Sequence, residues 1–242
     1  LITFGNLGER FELLSMKAAG IPLIRILQPI IIFDILLCIG SFYFQNAFSD
    51  IEKAIEYFCV FGGTSWNVDS EKPLYELIVA KVLKNYTYIH ADMTKLTHSN
   101  KLSHALLSAC ATGDSRVYSS YKRARLSREE GNEALHALLR SQIVTREYSI
   151  ERPLSEEDDN SDKLDFATPF MRFWFAFVYP NMSFIESGHS RVVMNKIRKG
   201  LVSGHISFVY EDVCRERMWE LNADDAWPFH FTKLGRYWDA KT

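Results

Sequence analysis

Between Ser115 and Arg128 the chain carries Arg116, Lys122, Arg123, Arg125 and Arg128 and no acidic residue. Guanidinium and ammonium groups at this density neutralise a few phosphates, the sequence-independent part of nucleic-acid binding. The next residues work against base reading, because Glu129, Glu130 and Glu133 would face phosphate or base edges unfavourably. Contact with DNA and contact with a protein partner therefore both stay open. The formal net charge is −2, so any attraction to a polyanion must be local. The four cysteines, Cys38, Cys59, Cys110 and Cys214, are scattered, with no Cys-x-x-Cys pair and no histidine at ligand spacing. That spacing argues against a zinc site and for unpaired thiols in a reducing compartment. No Gly-x-x-x-x-Gly-Lys-[Ser/Thr] occurs, so the sequence encodes no ATP binding of the P-loop type.

Three helices and a strand must position the basic cluster. Leu102–Gly113 is predicted helical with Leu102, Ala105, Leu106 and Ala109 inward and Gly113 as terminator. Ser115–Ala124 is a shorter helix. Ser127-Arg-Glu-Glu130 is a capping box that opens a third, with Ala134, Leu135, Leu138 and Leu139 inward. Ile143–Ile150 alternates with the period of a strand. Helix, helix, capped helix and strand is the order of a winged helix-turn-helix, expected over 102–152 inside a helical region spanning 51–154. Upstream, Ile51–Phe61 reads as a helix stopped by Gly62-Gly63, and a second runs from Pro73 through Leu83.

An aromatic stretch, Phe166 to Pro180, is the natural hub. Phe170, Phe173, Trp174 and Phe177 recur at helical spacing, with Phe166, Phe175 and Tyr179 on the flanks. Each such ring can bury about 150–250 Å². Pro169 suits a first turn, and Pro180 is expected to end the helix. The acidic run Ser155–Ser161 reads as a solvated loop ahead of a module spanning 162–242. There, Val192–Leu201 is a basic helix, Ser203–Trp219 a longer one with Phe208, Val209, Val213 and Met218 near one face, and Trp227–Trp238 is strand-like.

At Asp165-Phe-x-x-Pro-Phe-x-Arg-Phe-Trp-Phe-x-Phe-Val-Tyr-Pro180, Phe208-Val-Tyr-Glu-Asp-Val-Cys-Arg215 and Leu234-Gly-Arg-Tyr-Trp238 the chain resembles the C-terminal domain of unknown function that follows archaeal-type P-loop ATPase domains, over roughly residues 51–242. The resemblance implies a winged helix leading into a restriction-endonuclease-like module. In such modules a helix glutamate, here Glu211, precedes a hairpin whose Glu-Ile-Asp pair holds magnesium. Magnesium requires several hard oxygens in near-octahedral array, and phosphodiester hydrolysis requires them on one side of a cleft. Glu211 is thus the one candidate catalytic or metal-binding residue, and magnesium the one candidate cofactor. The chain stops at Thr242, where the acidic strand would begin, so a truncated and inactive module is expected.

The first 48 residues differ in character. Leu1-Ile-Thr-Phe-Gly-Asn-Leu-Gly-Glu-Arg-Phe-Glu-Leu-Leu-Ser-Met-Lys-Ala-Ala-Gly20 resembles the cytoplasmic loop of LptF/LptG permeases. By that resemblance Glu9, Glu12, Met16 and Lys17 dock on the exporter's ATPase subunit, and a transmembrane helix follows. Ile21–Phe44 exceeds the about 20 apolar residues that cross a bilayer, although Asp34 sits near its middle. A start on Leu1 and a permease-like part with one span suggest a fragment or joined reading frames.

The expected architecture is mainly α with a small β component: a membrane-like N-terminal helix (21–44), a winged helix-turn-helix, and an incomplete α/β nuclease-like module. The expected role is an accessory DNA- or protein-binding module without catalytic activity, cytoplasmic for residues 51–242 and anchored in the inner membrane through residues 1–48. Two alternatives stand beside it: a magnesium-dependent nuclease completed by further residues, and a membrane fragment of a lipopolysaccharide-export permease.

Overall fold

The structure, a computed structural model, describes residues 51–151 and 161–238. The chain divides into two compact units, Leu1–Lys53 and Ala54–Thr242, and nearly all described residues fall in the second. The expected membrane helix at 21–44 and the docking residues Glu9, Glu12, Met16 and Lys17 lie outside the described residues, as does most of the acidic loop 155–161. Among the described residues no helix is long and apolar enough to cross a membrane.

The fold is mainly helical with one two-stranded sheet. Helix α1 (residues 51–61) ends as its glycines dictate. The Gly62 amide donates to the Phe58 carbonyl at 2.7 Å, and Gly63 takes φ 82°. A Cβ at Gly63 would lie 2.3 Å from the Thr168 side chain, so both conformation and space require glycine there. Helix α2 (Leu74–Leu77) opens after Pro73 and runs into a π-helical turn, Ile78–Leu83; α3 (Tyr86–Leu96) follows.

Next come α4 (Lys101–Thr112), α5 (Val117–Ala124) and α6 (Arg128–Arg140). The Asn100 side chain caps α4, accepting from the amides of Leu102 at 2.9 Å and Ser103 at 3.3 Å. The capping box of α6 is closed in both directions: Ser127 Oγ accepts from the Glu130 amide at 3.2 Å, and the Glu130 carboxylate from the Ser127 amide at 2.9 Å. Gly131 lets α6 approach α5, since a Cβ there would sit 2.7 Å from the Tyr121 ring. Ala134, Leu135 and Leu138 are buried. Strand β1 (Val144–Glu147) pairs antiparallel with β2 (Lys163–Phe166), with Val144 opposite Phe166 and Glu147 opposite Lys163. An isolated bridge between Arg116 and Lys163 brings the α4–α5 connection alongside β2.

The aromatic hub is core throughout. Thr168 Oγ accepts from the Met171 amide at 3.2 Å and Pro169 takes the first turn of α7 (Pro169–Phe173). From Trp174 to Val178 the helix widens into a π turn. The wider turn shifts the register, so Phe175 and Val178 are buried with Phe170, Phe173 and Trp174, while Phe177, expected in the buried stripe, is only partly covered. Pro180 does not end the helical path: a 3₁₀ turn, Tyr179–Asn181, leads into α8 (Met182–Glu186). Trp174 stacks on Tyr86 at 5.9 Å, Phe170 meets Trp66 edge-on at 5.0 Å, and Phe175 meets His104 at 5.6 Å. One apolar core thus runs from Tyr57 to Leu201 through the hub.

Helix α9 (Ser190–Leu201) and helix α10 (Ser207–Ala223) are joined by a π turn, Val202–Ile206. That turn carries His205, fully buried against Phe173, with Nε2 2.7 Å from the Cys59 carbonyl oxygen. The carbonyl can only accept, so Nε2 bears the proton; burial drives the ring's pKa down to about 4. Residues 227–238 form no strand, contrary to the alternation of their side chains. Instead Asn222 bonds both polar groups of Phe231, donating to its carbonyl at 3.1 Å and accepting from its amide at 3.0 Å. Further on, the Arg236 carbonyl accepts from the Ile150 amide at 2.9 Å.

Candidate functional site

A cavity of about 480 Å³ opens between the β1–β2 hairpin and α10. Its walls include Glu147, Lys163 and Asp165 from the hairpin, Arg172 from the hub, Asp212 and Arg215 from α10, and Arg236 from the C-terminal segment. The three stretches that carried the first family resemblance meet here, one residue or more from each. Helix α10 explains why. Of Phe208, Val209, Val213 and Met218, only Val209 is buried; Phe208, Val209 and Val213 wall the cavity instead of entering the main core.

Two guanidiniums and two carboxylates form a linked set, which Arg236 extends to Glu211. Arg215 donates to Glu147 Oε1 at 2.6 Å and to Asp212 Oδ1 at 2.5 Å. Arg236 donates to Glu147 Oε2 at 2.8 Å, to the same Asp212 oxygen at 2.8 Å, and to the Phe208 carbonyl at 3.1 Å. The set ties hairpin, α10 and C-terminal segment together with charge-assisted bonds. Burial and the charge of Asp165 nevertheless push Asp212 up to about 6, against the pull of the two arginines. Arg236 is likewise raised, above the usual arginine range, because burial, which pulls it down, is outweighed by the carboxylates of Glu147 and Asp212. Trp238 locks the same corner: its indole N–H donates to the Ser161 carbonyl at 2.7 Å, and Lys163 Nζ lies 4.5 Å above its ring.

Arg172 stands apart from this set. It is 5% exposed and lies over the Phe208 ring at 4.3 Å. Its one hydrogen bond, Nη1 to Ser115 Oγ, is 3.5 Å long, and Nε and Nη2 have no hydrogen-bond partner. Ser115, also in the cavity wall, is held at φ 63°, a conformation that costs a non-glycine residue free energy; its carbonyl accepts from the Leu164 amide of β2 at 2.8 Å. Asp165 accepts only from its neighbour's amide, Phe166 N at 2.9 Å, and burial raises its pKa.

Glu211, the expected metal ligand, is largely exposed and accepts from Arg236 Nε at 2.7 Å. It faces a second cavity of about 500 Å³ with Cys214, Tyr237 and Trp238. Among the described residues no group of three or more His, Cys, Asp or Glu side chains is arranged to hold a metal ion. The basic cluster sits at the α5–α6 corner, apart from both cavities' walls. Lys122, Arg123, Arg125 and Arg128 are exposed there, and Arg116 is half-buried. Lys122 Nζ lies 4.6 Å over Tyr118, and Arg125 adopts φ 58° to close α5. Sequence reasoning singled out Glu211 but not Asp212 beside it, nor Glu147, Arg172 or Arg236. A signal existed: Asp165, Arg172, Asp212, Arg215 and Arg236 are charged residues embedded in aromatic runs, where an unpaired charge is costly.

Comparison with known proteins finds both resemblances. The family described as archaeal and bacterial proteins of unknown function matches residues 174–242, which include Glu211, Asp212, Arg215 and Arg236. The lipopolysaccharide export system permease LptF/LptG matches residues 1–49. An uncharacterized protein of Methanocaldococcus jannaschii is 36% identical over 69 residues, 28% of this chain and 15% of that relative's length. No solved structure matches.

Proposed function

We propose that residues 102–152, with strand β2 added, are a winged helix-turn-helix unit and that the chain is an accessory module gripping DNA by its phosphate backbone. Support for the unit comes from α4, α5 and α6 in sequence, the tight α5–α6 contact at Gly131, and the β1–β2 hairpin with its extra bridge at Arg116. The observation that carries the DNA reading is the exposed quartet Lys122, Arg123, Arg125 and Arg128 on the α5–α6 corner. Glu130 is drawn back into its capping box, but Glu129 and Glu133 remain exposed on α6. Carboxylates on that face oppose base reading, so the interaction is phosphate-led and insensitive to sequence. Fluorescence anisotropy with a duplex of arbitrary sequence tests this. Log affinity should fall linearly with log salt, and Lys122→Gln with Arg125→Gln should flatten the slope by about 0.9 per lost phosphate contact. Unchanged affinity in that double variant would defeat the reading.

The same two carboxylates favour a second reading, docking on a basic protein partner, which would show as affinity for protein and none for duplex. Catalysis is not part of the proposal: Glu211 is engaged by Arg236. Magnesium-dependent cleavage of plasmid DNA, lost in Glu211→Ala, would replace it with the nuclease reading. For residues 1–48, membrane anchoring is supported by the apolar run Ile21–Phe44 and by the permease match, and the docking role of Glu9, Glu12, Met16 and Lys17 by that match.

A further inference from the structure

The charges around the cavity between the hairpin and α10 do not all find partners. Arg215 and Arg236 are closed on Glu147 and Asp212, and Lys163 rests over Trp238. Arg172 is left. It is more than nine-tenths buried, yet among the described residues no carboxylate lies within ion-pairing distance of it, and its one hydrogen bond is long. A guanidinium removed from water without a counter-ion is costly, far more so than a partly exposed one. Asp165, close enough to act on it electrostatically, makes no contact with it and has no side-chain partner of its own. Beside Arg172 stands the Ser115 hydroxyl, on a strained backbone; it accepts from Arg172 and donates to the Cys110 carbonyl at 3.4 Å, a long bond that it can exchange for one to a ligand. At the rim, Phe58 and Trp219 are 48% and 39% exposed, so the same cavity offers aromatic surface to an apolar body.

We infer that this cavity binds a small molecule through an oxyanion group, a phosphate or a carboxylate, received by Arg172 and Ser115. A planar guanidinium suits either oxyanion better than an ammonium would, because it presents paired donors. Asp165 limits the affinity when ionised and assists when protonated, because its carboxyl then donates to the oxyanion. Binding therefore tightens as pH falls. The site is independent of the α5–α6 corner, and the two readings fail separately.

Isothermal titration of the full chain with inorganic phosphate, and separately with acetate, distinguishes the two oxyanions. Saturable uptake of at least one is expected. Asp165→Asn, nearly isosteric, should tighten it severalfold at neutral pH and reduce its pH dependence to what Asp212, in the same wall, and the anion's own titration contribute; Arg172→Gln should weaken it more than tenfold. Arg172→Gln empties a buried position and can fail to fold, so the side-chain Nε resonance of Arg172 in the wild-type chain provides a second reading, and it should move on addition of the bound anion. The Lys122→Gln, Arg125→Gln variant should bind the anion as wild type does. No saturable uptake by either wild type or Asp165→Asn would overturn the site. So would a folded Arg172→Gln that binds as before, or an Arg172 resonance that stays still while anion binds.

Discussion

The α4–α6 corner and the charged cavity are built on opposite principles. The corner is made of short-range devices, a cap at Asn100, a capping box at Ser127 and Glu130, and a glycine that lets two helices touch. Each acts within about ten residues of itself, and the exposed side chains of Lys122 and Arg125 lie outside the core. The cavity is made of long-range charge contacts. Glu147 meets Arg215 and Arg236 across 68 and 89 positions of chain, and the aromatic hub supplies the floor. The lesson is that local devices place a surface, whereas the cavity exists only if the whole core between Tyr57 and Leu201 is closed.

Trp174→Ala strikes the shared core and should be the most damaging change. Trp174 is fully buried and stacked on Tyr86, and truncation there should cost about 3–5 kcal/mol. If corner and cavity depend on one core, thermal unfolding should stay a single transition at lower temperature; a corner that melts at its wild-type temperature would break the comparison. His205 gives the next largest effect. Its folded pKa is lowered, so its contribution is present above the unfolded value near 6.5 and is lost as pH falls toward about 4. Asp212, raised to about 6, works the other way, contributing stability at low pH that is lost as pH rises. The measurement is therefore the difference in unfolding free energy between wild type and His205→Gln. It should shift by about 3 kcal/mol in favour of the variant between pH 7 and pH 4.

Glu147→Gln removes the carboxylate that both arginines share at the hairpin. A loss of about 2 kcal/mol is expected, less than for a fully buried pair because Arg215 keeps some contact with water. Chemical denaturation would measure it, and the loss should fall on the cavity without changing duplex binding. Ser127→Ala opens the capping box of α6 and should cost about 1 kcal/mol. Smallest of all, Lys122→Gln with Arg125→Gln should move stability by no more than about 0.5 kcal/mol. A large loss from that pair would mean the corner carries structural charge rather than a free surface.

Much of the fold was legible because its signals are local. The stop at Gly62-Gly63, the box at Ser127-Arg-Glu-Glu130 and the burial of Phe170, Phe173 and Trp174 are written in side chains a turn apart. At the hub, reading by helical period went wrong because of a π turn. At Trp174–Val178 the extra residue per turn brought Phe175 and Val178 inward and left Phe177 partly covered. The strand expected at 227–238 did not form for a different reason: alternation describes a face, but a strand also needs its backbone groups paired in a ladder, and here the Asn222 side chain and single bonds to the chain at Ser149 and Ile150 take them instead.

By itself, then, the sequence determined which segments coil, where they start, and which cluster of cations is left outside. Capping, glycine conformations and amphipathic spacing act over one or two turns and need no distant partner. Only the tertiary structure decided that Glu147, Asp212, Arg215 and Arg236 neutralise one another while Arg172 does not find a carboxylate. The energy of a charge depends on its distance through space and on the water excluded around it, and neither quantity is set by position along the chain.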